Sequence, residues 1–366
     1  MIKKRLAALR MLLKSKELDG ILVTLPANRR YLSGFTAEDG QFGESSGALL
    51  ITASDAFIFT DMRYELSARE QAKYFNCRIY ARGLAWELAH LAPELRLKKL
   101  AFEAEGLLVE QKAKLEQALE GCEFIPTLGM VSFLRRRKEP GEVRSIEAAL
   151  VLIESVLGEI LAQDVTGMTE RELALKITRA SEDLGAEGPA FDPIVAAGPN
   201  GAEPHAVPGD RVIKEGEPVL FDVGARLKGY NSDISRTVAA GGWEKAGDLF
   251  KEVYATVRKA QVAAIDSIFC GMTGKQADSI ARQVITEAGY GDKFGHSLGH
   301  GVGTMVHEFP SVGPNSPDLL LPGMIFTVEP GIYIPGWGGV RLEQMVEMTE
   351  QGCRLLNNLD CFYDLD

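Results

Sequence analysis

The chain has 366 residues, of which 46% are hydrophobic and 25% charged, a composition typical of a globular protein with one or two domains. Its net charge of −11, with Lys and Arg scattered rather than clustered, argues against a nucleic-acid partner. Five cysteines without a C-x-x-C pair indicate reduced thiols, and no run approaches the roughly 20 apolar residues of a membrane span, so we expect a cytoplasmic protein that does not contact a membrane.

The first third of the sequence alternates helices with short apolar strands. A helix over 2–18 has one apolar face, and the charges that interrupt it exclude the apolar run of a secretory signal. Strands are predicted at 21–24, 48–52, 56–60 and 100–103, and further helices at about 64–72 and 108–120. This alternation predicts a small α/β domain.

A charged segment broken by Pro140 and Gly141 follows, and it predicts a linker. We interpret its basic residues mainly as a solvated helix end rather than a binding surface. The predicted boundaries are 1–130 for the first domain, 131–142 for the linker and 143–366 for the second domain. In the second domain, helices are predicted at 142–161, 169–185, 246–266 and 274–289. The Gly-rich strands between and after these helices carry nearly all of the residues that suggest chemistry.

Asp222 and Asp233 lie in two predicted strands on either side of Lys228-Gly229, a dipeptide suited to a hairpin turn. A two-residue loop pairs Asp222 with Ser235 and Gly224 with Asp233, so the two aspartates lie diagonally on one face. Gly224 is expected to leave space for a metal ion opposite Asp233. Buried carboxylates are costly unless a cation compensates them, and the alternative is that one of the two points to solvent.

Glu329 and Glu343 lie in a second predicted hairpin, whose loop is centred on Gly336. This register places the two glutamates opposite each other in an otherwise apolar strand pair, where like charges repel. A shared divalent cation removes the repulsion. The alternative requires both side chains to reach water.

His300 lies in a Gly-rich stretch between His296 and His307. Its glycines allow the backbone to approach a crowded centre closely. Four carboxylates and one imidazole are a suitable ligand set for Mn²⁺, Co²⁺, Fe²⁺ or Zn²⁺. Two such ions about 3.5–4 Å apart can bridge a water and lower its pKa, which makes a hydroxide nucleophile. The residues therefore predict a two-metal hydrolase.

Several motifs resemble one known family. The sequences FDVGA, SDISRT, GHSLGHGVG, TVEPGIY and GVRLEQ are similar to those of the pita-bread metallopeptidases (family M24), in the branch of Xaa-Pro aminopeptidases (aminopeptidase P) and Xaa-Pro dipeptidases (prolidases). NRRYLSGF and FTDMRY resemble the creatinase-type N-terminal domain. The resemblance covers essentially the whole chain. It implies an α+β fold in which a C-terminal pita-bread catalytic domain follows a smaller α/β creatinase-type domain.

The resemblance also implies a role for each candidate metal ligand. Asp222 and Asp233 hold one metal, with Asp233 also reaching the second; His300 and Glu329 hold the second metal, and Glu343 bridges both. Glu329 is further implied to relay the proton of the bridging water.

Catalytic roles are expected for four more residues, three histidines by resemblance and Arg341 by its strand position two residues before Glu343. His205, His296 and His307 match pocket histidines that orient the substrate and stabilise the tetrahedral intermediate. Arg341 is expected to contact the carboxylates that bind the metals; the alternative is an exposed strand arginine. The family commonly has an aspartate after its last metal glutamate, whereas this chain has Gln344, which strand alternation directs away from the metals.

The implied reaction is hydrolysis of the bond between residue one of a peptide and a proline at residue two, through a hydroxide bridging two divalent ions. Mn²⁺ is favoured, with Co²⁺, Zn²⁺ and Fe²⁺ as alternatives, and a homodimer is expected. We favour an aminopeptidase over a dipeptidase restricted to two residues, a choice that the motifs leave open. A non-catalytic binding module or a metal-free creatinase-like hydrolase would not need all five ligands. A methionine aminopeptidase is disfavoured because the first domain is present.

Overall fold

The computed structural model describes residues 1–41 and 43–364. The chain divides into two compact units, Met1–Arg135 and Arg136–Asp366. Among the described residues, no helix is both long and apolar enough to cross a bilayer.

The first unit is a six-stranded sheet with helices. Its elements are α1 (Ile2–Ser15), β1 (Gly20–Val23), α2 (Pro26–Ser33), β2 (Ala48–Thr52), β3 (Ala56–Thr60), α3 (Glu65–Gln71), β4 (Asn76–Ile79), α4 (Leu84–Glu94), β5 (Lys99–Glu103), α5 (Val109–Ala118), β6 (Glu123–Thr127) and α6 (Met130–Arg135). The strand order is β4-β3-β2-β1-β5-β6, in which β2 is antiparallel to β1 and β3 and the other pairs are parallel.

The four strands predicted in this unit are all present, and the two that the sequence did not reveal are the sheet edges. β4 alternates exposed and half-buried residues, and β6 contains Pro126. Edge strands carry polar residues and proline because one side of their backbone needs no partner strand. Neither edge therefore contains the apolar run by which the inner strands were predicted.

The second unit contains all of the candidate site residues. Its elements are α7 (Pro140–Leu161), α8 (Glu170–Asp183), β7 (Gly188–Pro189), β8 (Ile194–Ala197), β9 (Pro218–Val223), β10 (Ala225–Leu227), β11 (Tyr230–Asn231), β12 (Ile234–Ala239), α9 (Asp248–Ser267), α10 (Gly274–Glu287), β13 (Gly299–Gly301), β14 (Glu308–Val312), β15 (Ile325–Val328), β16 (Gly331–Ile334), β17 (Gly338–Arg341), β18 (Gln344–Thr349) and β19 (Gly352–Leu355). All four predicted helices of this unit are confirmed.

This unit consists of two halves with the same plan, two helices followed by a long hairpin. The helices α8 and α10 begin in the same way, because Thr169 and Thr273 each cap the helix and accept a hydrogen bond from the residue three positions on. Each threonine also forms an isolated bridge to the segment before its hairpin, at Val212 and Leu319 respectively. Two apolar clusters fill this unit, and each includes residues of both halves. Ala239 of the first hairpin packs in the cluster around α9 and α10, whereas Ile325 and Met345 of the second hairpin pack in the cluster around α7 and α8.

The basic run before α7 differs from the predicted solvated helix end. Arg135 is buried in the first unit. Lys138 is buried in the second, where its Nζ lies 2.9 Å from Glu308 Oε1 and both side chains are almost inaccessible. The interpretation of this run as solvated is therefore wrong for both residues.

Candidate metal centre

The first hairpin has the predicted register. Asp222 pairs with Ser235, and the turn residues Lys228 and Gly229 have φ values of 51° and 72°. Positive φ at both positions matches the two-residue hairpin turn that follows the twist of the strands. The hairpin changes sheets partway, since β9 and β12 pair in one sheet while β10 and β11 pair in another. Asp233 lies at this change, immediately before β12.

Gly224 does not leave space for a metal, contrary to the prediction. A Cβ at this position would overlap the carbonyl oxygen of Ser232 and would lie 2.9 Å from Ala190 Cβ and Phe191 Cε1. The glycine is needed because two backbone segments approach closely where the hairpin changes sheets.

The second hairpin is interrupted in the same way. β15 pairs with β18 in one sheet and β16 pairs with β17 in another, and the register is continuous across the break. Glu329 and Glu343 lie within the break, where each backbone N–H donates to a carbonyl outside the hairpin instead. Glu329 donates to Leu298 O at 2.8 Å, and Glu343 donates to Ser235 O at 3.1 Å. At the break, therefore, neither glutamate N–H makes a cross-strand hydrogen bond within its own hairpin. The bond from Glu343 to Ser235 links the second hairpin to the first.

The five candidate ligands converge on one point. Oxygens of Asp222, Asp233 and Glu343 lie within 4.8 Å of one another. His300 Nε2 lies 3.3 Å from Glu329 Oε1 and 3.7 Å from Asp233 Oδ2. We refer to these five residues as the carboxylate–histidine centre. Four of its members, all but Glu343, line a cavity of about 610 Å³ in the second unit.

The carboxylates of the centre do not reach solvent freely, which excludes the alternative of outward-facing side chains. Side-chain exposure is 14% for Asp222, 6% for Asp233 and 15% for Glu329, and Glu343 is 1% exposed as a residue. Asp222 Oδ1 and Glu343 Oε1 are buried without a hydrogen-bond partner among the described residues. Orphaned acceptors of this kind are costly unless a cation or water satisfies them.

The electrostatics of the centre also favour a cation. Burial, followed by the charge of Glu343, raises the pKa of Asp233 well above its usual range. Burial and the charge of Glu329 do the same to the pKa of Glu343. Burial raises the pKa of Glu329 to about 7, although the Arg341 cation opposes the shift. Four crowded oxygen donors and an imidazole whose Nε2 faces them fit divalent metal ions.

Arg341 is buried and not an exposed strand arginine. Its Nη2 donates to Asp222 Oδ2 at 2.6 Å, its Nε donates to Ser235 Oγ at 2.9 Å, and its Nη1 donates to Tyr333 Oη at 2.8 Å. Arg341 therefore contacts Asp222 directly and reaches Glu343 through Ser235, whose Oγ donates to Glu343 Oε2 at 3.0 Å.

Tyr333 was not predicted as a site residue. It is 6% exposed, and its hydroxyl also bonds to His296 Nε2 at 2.8 Å, so a chain of contacts runs from His296 through Tyr333 and Arg341 to Asp222. The register gives the signal that could have revealed it: Arg341 pairs with Gly331, and Tyr333 lies two residues further on the same face.

The three predicted pocket histidines all line the cavity. The rings of His307 and His300 meet edge to face, with centroids 4.2 Å apart. Burial, and then the Arg341 cation, lowers the pKa of His296 to about 4, so this imidazole is neutral at physiological pH. Gln344 is buried, and its Oε1 accepts a hydrogen bond from Arg236 Nη2 at 3.3 Å.

Comparison with known proteins identifies the family. Residues 144–350 match the family model described as metallopeptidase family M24, which covers more than half of the chain, and residues 5–136 match the creatinase/prolidase N-terminal domain. The chain belongs to metallopeptidase family M24. The predicted resemblance and fold class, a pita-bread domain after a creatinase-type domain, are thus confirmed, and this M24 protein is a metal-dependent peptidase.

Relatives of this M24 peptidase align over nearly its whole length. It is 33% identical to the Xaa-Pro dipeptidase of Pyrococcus furiosus over 98% of this chain and 99% of the relative. The structure of an Xaa-Pro dipeptidase from Bacillus anthracis matches with a TM-score of 0.92 and 37% identity, over 98% of each chain. The structure of an X-Pro aminopeptidase from Thermotoga maritima matches with a TM-score of 0.85 and 35% identity, over 94% of this chain and 96% of the other.

Proposed function

We propose that this M24 peptidase is an Xaa-Pro dipeptidase that uses divalent ions held by Asp222, Asp233, His300, Glu329 and Glu343. The observation that carries the metal site is the convergence of these five side chains, two of which have orphaned buried oxygens. Proline specificity is supported by the relatives that carry the name Xaa-Pro dipeptidase. These relatives favour the dipeptidase alternative over the aminopeptidase that the motifs led us to prefer.

The bond to be cleaved is a tertiary amide, so a substrate with proline at position two offers no N–H at that bond. When bound, divalent ions polarise a carbonyl and lower the pKa of water towards neutrality. The side chains of the cavity then orient the substrate. His296 holds a hydrogen bond to Tyr333, and the neighbouring Arg341 fixes Asp222, so both are ordered before the substrate arrives.

Glu329 is the proposed carrier of the proton in this reaction. Thr327 Oγ1 donates to Glu329 Oε1 at 2.9 Å and fixes the orientation of the carboxylate. The side chain lines the cavity beside His300. A carboxylate held in this position can take a proton from the attacking water and return it to the leaving nitrogen.

Mn²⁺ is the proposed metal, with Co²⁺, Zn²⁺ and Fe²⁺ as alternatives. Carboxylate oxygens suit Mn²⁺, whereas imidazole suits zinc and iron, and no cysteine thiolate contributes to the five-residue set.

An Xaa-Pro aminopeptidase is the second candidate. Among the described residues that line the cavity, Arg341 is the one guanidinium or ammonium group, and it is committed to Asp222 and Tyr333. A dipeptide places its free carboxylate on the proline, and these residues offer it no uncommitted cation. The similarity to the Thermotoga maritima X-Pro aminopeptidase agrees with this reading.

One assay separates the two candidates. Ala-Pro, Ala-Pro-Ala and the proline-lacking Ala-Ala are each incubated with the full-length protein, and the metal content of the same sample is measured. A dipeptidase cleaves Ala-Pro and leaves Ala-Pro-Ala intact, whereas an aminopeptidase cleaves the tripeptide as well. Equal cleavage of Ala-Ala and Ala-Pro would contradict proline specificity in either form.

A further inference from the structure

Two of the pocket histidines lie on irregular segments whose backbone is hydrogen-bonded by side chains of α8 and α10. His296 lies in residues 294–298, which we call the His296 segment, and His205 lies in residues 198–208, which we call the His205 loop. The His296 segment lies between α10 and β13, and the His205 loop lies between β8 and β9. Irregular segments have few ladder hydrogen bonds of their own, so the position of each histidine depends on what anchors its backbone.

The His296 segment is anchored by an acid–base pair on α10. Arg282 Nη1 donates to Phe294 O and its Nη2 donates to His296 O, both at 2.8 Å. Asp278 Oδ1 accepts from the N–H of Leu298 at 3.0 Å. The pair thus holds three backbone groups on both sides of the histidine and covers Phe294 with the guanidinium, 4.2 Å from the ring centroid.

Asp278 and Arg282 are also fixed to each other. Arg282 Nε lies 2.6 Å from Asp278 Oδ2, and Arg282 Nη2 lies 2.8 Å from Asp278 Oδ1. Asp278 is 1% exposed. This bidentate geometry restricts the guanidinium to one orientation, in which its remaining N–H groups face the two carbonyls. An exposed helical ion pair has no such further contacts.

The His205 loop is held by two buried side chains. Arg341 Nη1 donates to Pro204 O at 3.2 Å within the loop, and Glu170 at the start of α8 holds the backbone on both sides of it. Glu170 is 1% exposed, and its Oε1 accepts from the N–H of Ala197 at 2.8 Å. Its Oε2 accepts from Gly209 N at 3.0 Å and from Asn200 Nδ2 at 2.9 Å. One carboxylate therefore joins the residue before the loop, the residue after it and one residue within it.

We propose that Glu170 and the Asp278–Arg282 pair are positioning residues, each of which holds one pocket histidine in place for the peptidase reaction. The inference rests on the proposed function, taken together with the substrate-orienting role that the family resemblance implies for His205 and His296. None of the three residues lines the cavity. They act through the backbone of the histidine segments, so each should affect its own histidine and not the other.

This one-to-one relation can be measured without any catalytic activity. The imidazole ¹H–¹³C spectrum of the chelated full-length protein contains five histidines, and His→Gln variants assign them. Arg282→Met is expected to shift the His296 signal and leave His205 unchanged. Glu170→Gln is expected to shift His205 and leave His296 unchanged. The proposal would be overturned if either variant shifted the His205 and His296 signals equally. It would also be overturned if neither signal shifted in either variant.

Two further variants separate positioning from loss of stability. Arg69→Met removes an exposed helical ion pair with Glu65 in the first unit and should shift neither signal. Arg282→Lys keeps the charge beside Asp278 but replaces three separated guanidinium nitrogens, which together contact the carboxylate and both carbonyls, with one nitrogen. It should shift His296 while the unfolding midpoint stays close to that of the wild type, and it replaces Arg282→Met if that variant fails to fold. An unmoved His296 signal in folded Arg282→Lys counts against the proposal.

Kinetics give the second readout. Misplacement of a substrate-contacting group by about 1 Å can cost on the order of 100-fold in rate, so Arg282→Met should lower kcat/KM for Ala-Pro by about 10- to 100-fold. In a His296→Ala background the same substitution should have no further effect, because its target is gone. If the losses in kcat/KM of the two single variants multiplied in the double variant, Arg282 would act independently of His296 and the positioning role would be contradicted. Absence of Ala-Pro hydrolysis in the wild type would refute the proposed function alone, since the spectra still test the positioning.

Discussion

At the scale of single residues, Glu329 combines a place in the carboxylate–histidine centre with access to the cavity. Glu329→Gln keeps the size of the side chain and removes its ability to accept a proton. We expect kcat/KM for Ala-Pro to fall by about 10²- to 10⁴-fold, the usual contribution of a general base. Circular dichroism and the thermal midpoint should stay close to those of the wild type. Retention of full activity would show that another group moves the proton.

The buried carboxylates also predict how the metal-free protein responds to pH. The folded pKa values of Asp233, Glu343 and Glu329 lie above their unfolded values, and that of Glu329 is about 7. The stabilising contribution of these groups is complete below the unfolded pKa and is lost as pH rises through the folded pKa. The thermal midpoint of chelated protein should therefore fall between pH 6 and pH 8.

Scanning calorimetry with and without chelator tests this dependence. Bound cations hold the carboxylates ionised, so metal-loaded protein should lose less stability over the same interval. Asp233→Asn removes one of the three groups and should flatten the curve of the chelated protein. An equal slope in chelated wild type and in Asp233→Asn would contradict the assigned shifts.

At the scale of elements, Gly299 and Gly295 allow a matched comparison within one Gly-rich stretch. A Cβ at Gly299 would overlap Thr327 O and lie 2.7 Å from Thr327 Oγ1, whereas a Cβ at Gly295 meets no heavy atom within 4 Å. Gly299→Ala must therefore separate β13 from β15 and displace the adjacent His300.

We expect Gly299→Ala to destabilise the protein by about 1–3 kcal/mol, the usual cost of overpacking, and to weaken metal binding. Gly295→Ala should leave both unchanged. Denaturant unfolding and metal titration of the two variants provide the measurement. A harmless Gly299→Ala would show that the close approach of these strands is not needed for the centre.

The features of the elements that could be predicted from the sequence are those that local periodicity encodes. The hairpin register of Asp222 with Ser235 followed from a two-residue turn and strand alternation, and both are local. The changes of sheet at Gly224 and Glu329 depend on which strands lie alongside, and that information is non-local. For the same reason Gly224 was misread as open space, and the contact of Tyr333 with Arg341 was missed.

At the scale of the whole catalytic unit, the C-terminal segment connects both halves. Glu154 of α7 accepts hydrogen bonds from Asn357 Nδ2, Asn358 N and Leu359 N. The ring of Tyr363 packs on Trp243 with centroids 4.6 Å apart. The segment thus joins a helix of the first half to aromatic residues that pack in the core of the second.

Glu154→Gln puts an N–H group among these donors and should lower the free energy of unfolding by about 1–3 kcal/mol. Glu147→Gln, on the same helix, breaks only a partly exposed ion pair with Arg354 and should change it by about 0.5 kcal/mol or less. Denaturant titration of both variants checks the contrast. Equal effects would show that the segment does not depend on Glu154.

The homodimer and the domain boundaries stay predictions, which light scattering and limited proteolysis can test.

The metal content of the purified protein is the most direct test of the central claim, that five side chains form a divalent metal site. Elemental analysis is carried out on wild type, Asp233→Asn and Glu343→Gln after reconstitution with Mn²⁺ and dialysis, together with Ala-Pro hydrolysis. We expect about two ions per wild-type chain, fewer in both variants, and no hydrolysis after chelation until Mn²⁺ is restored. Unchanged metal content in the variants, or full hydrolysis by chelated metal-free protein, would contradict the account.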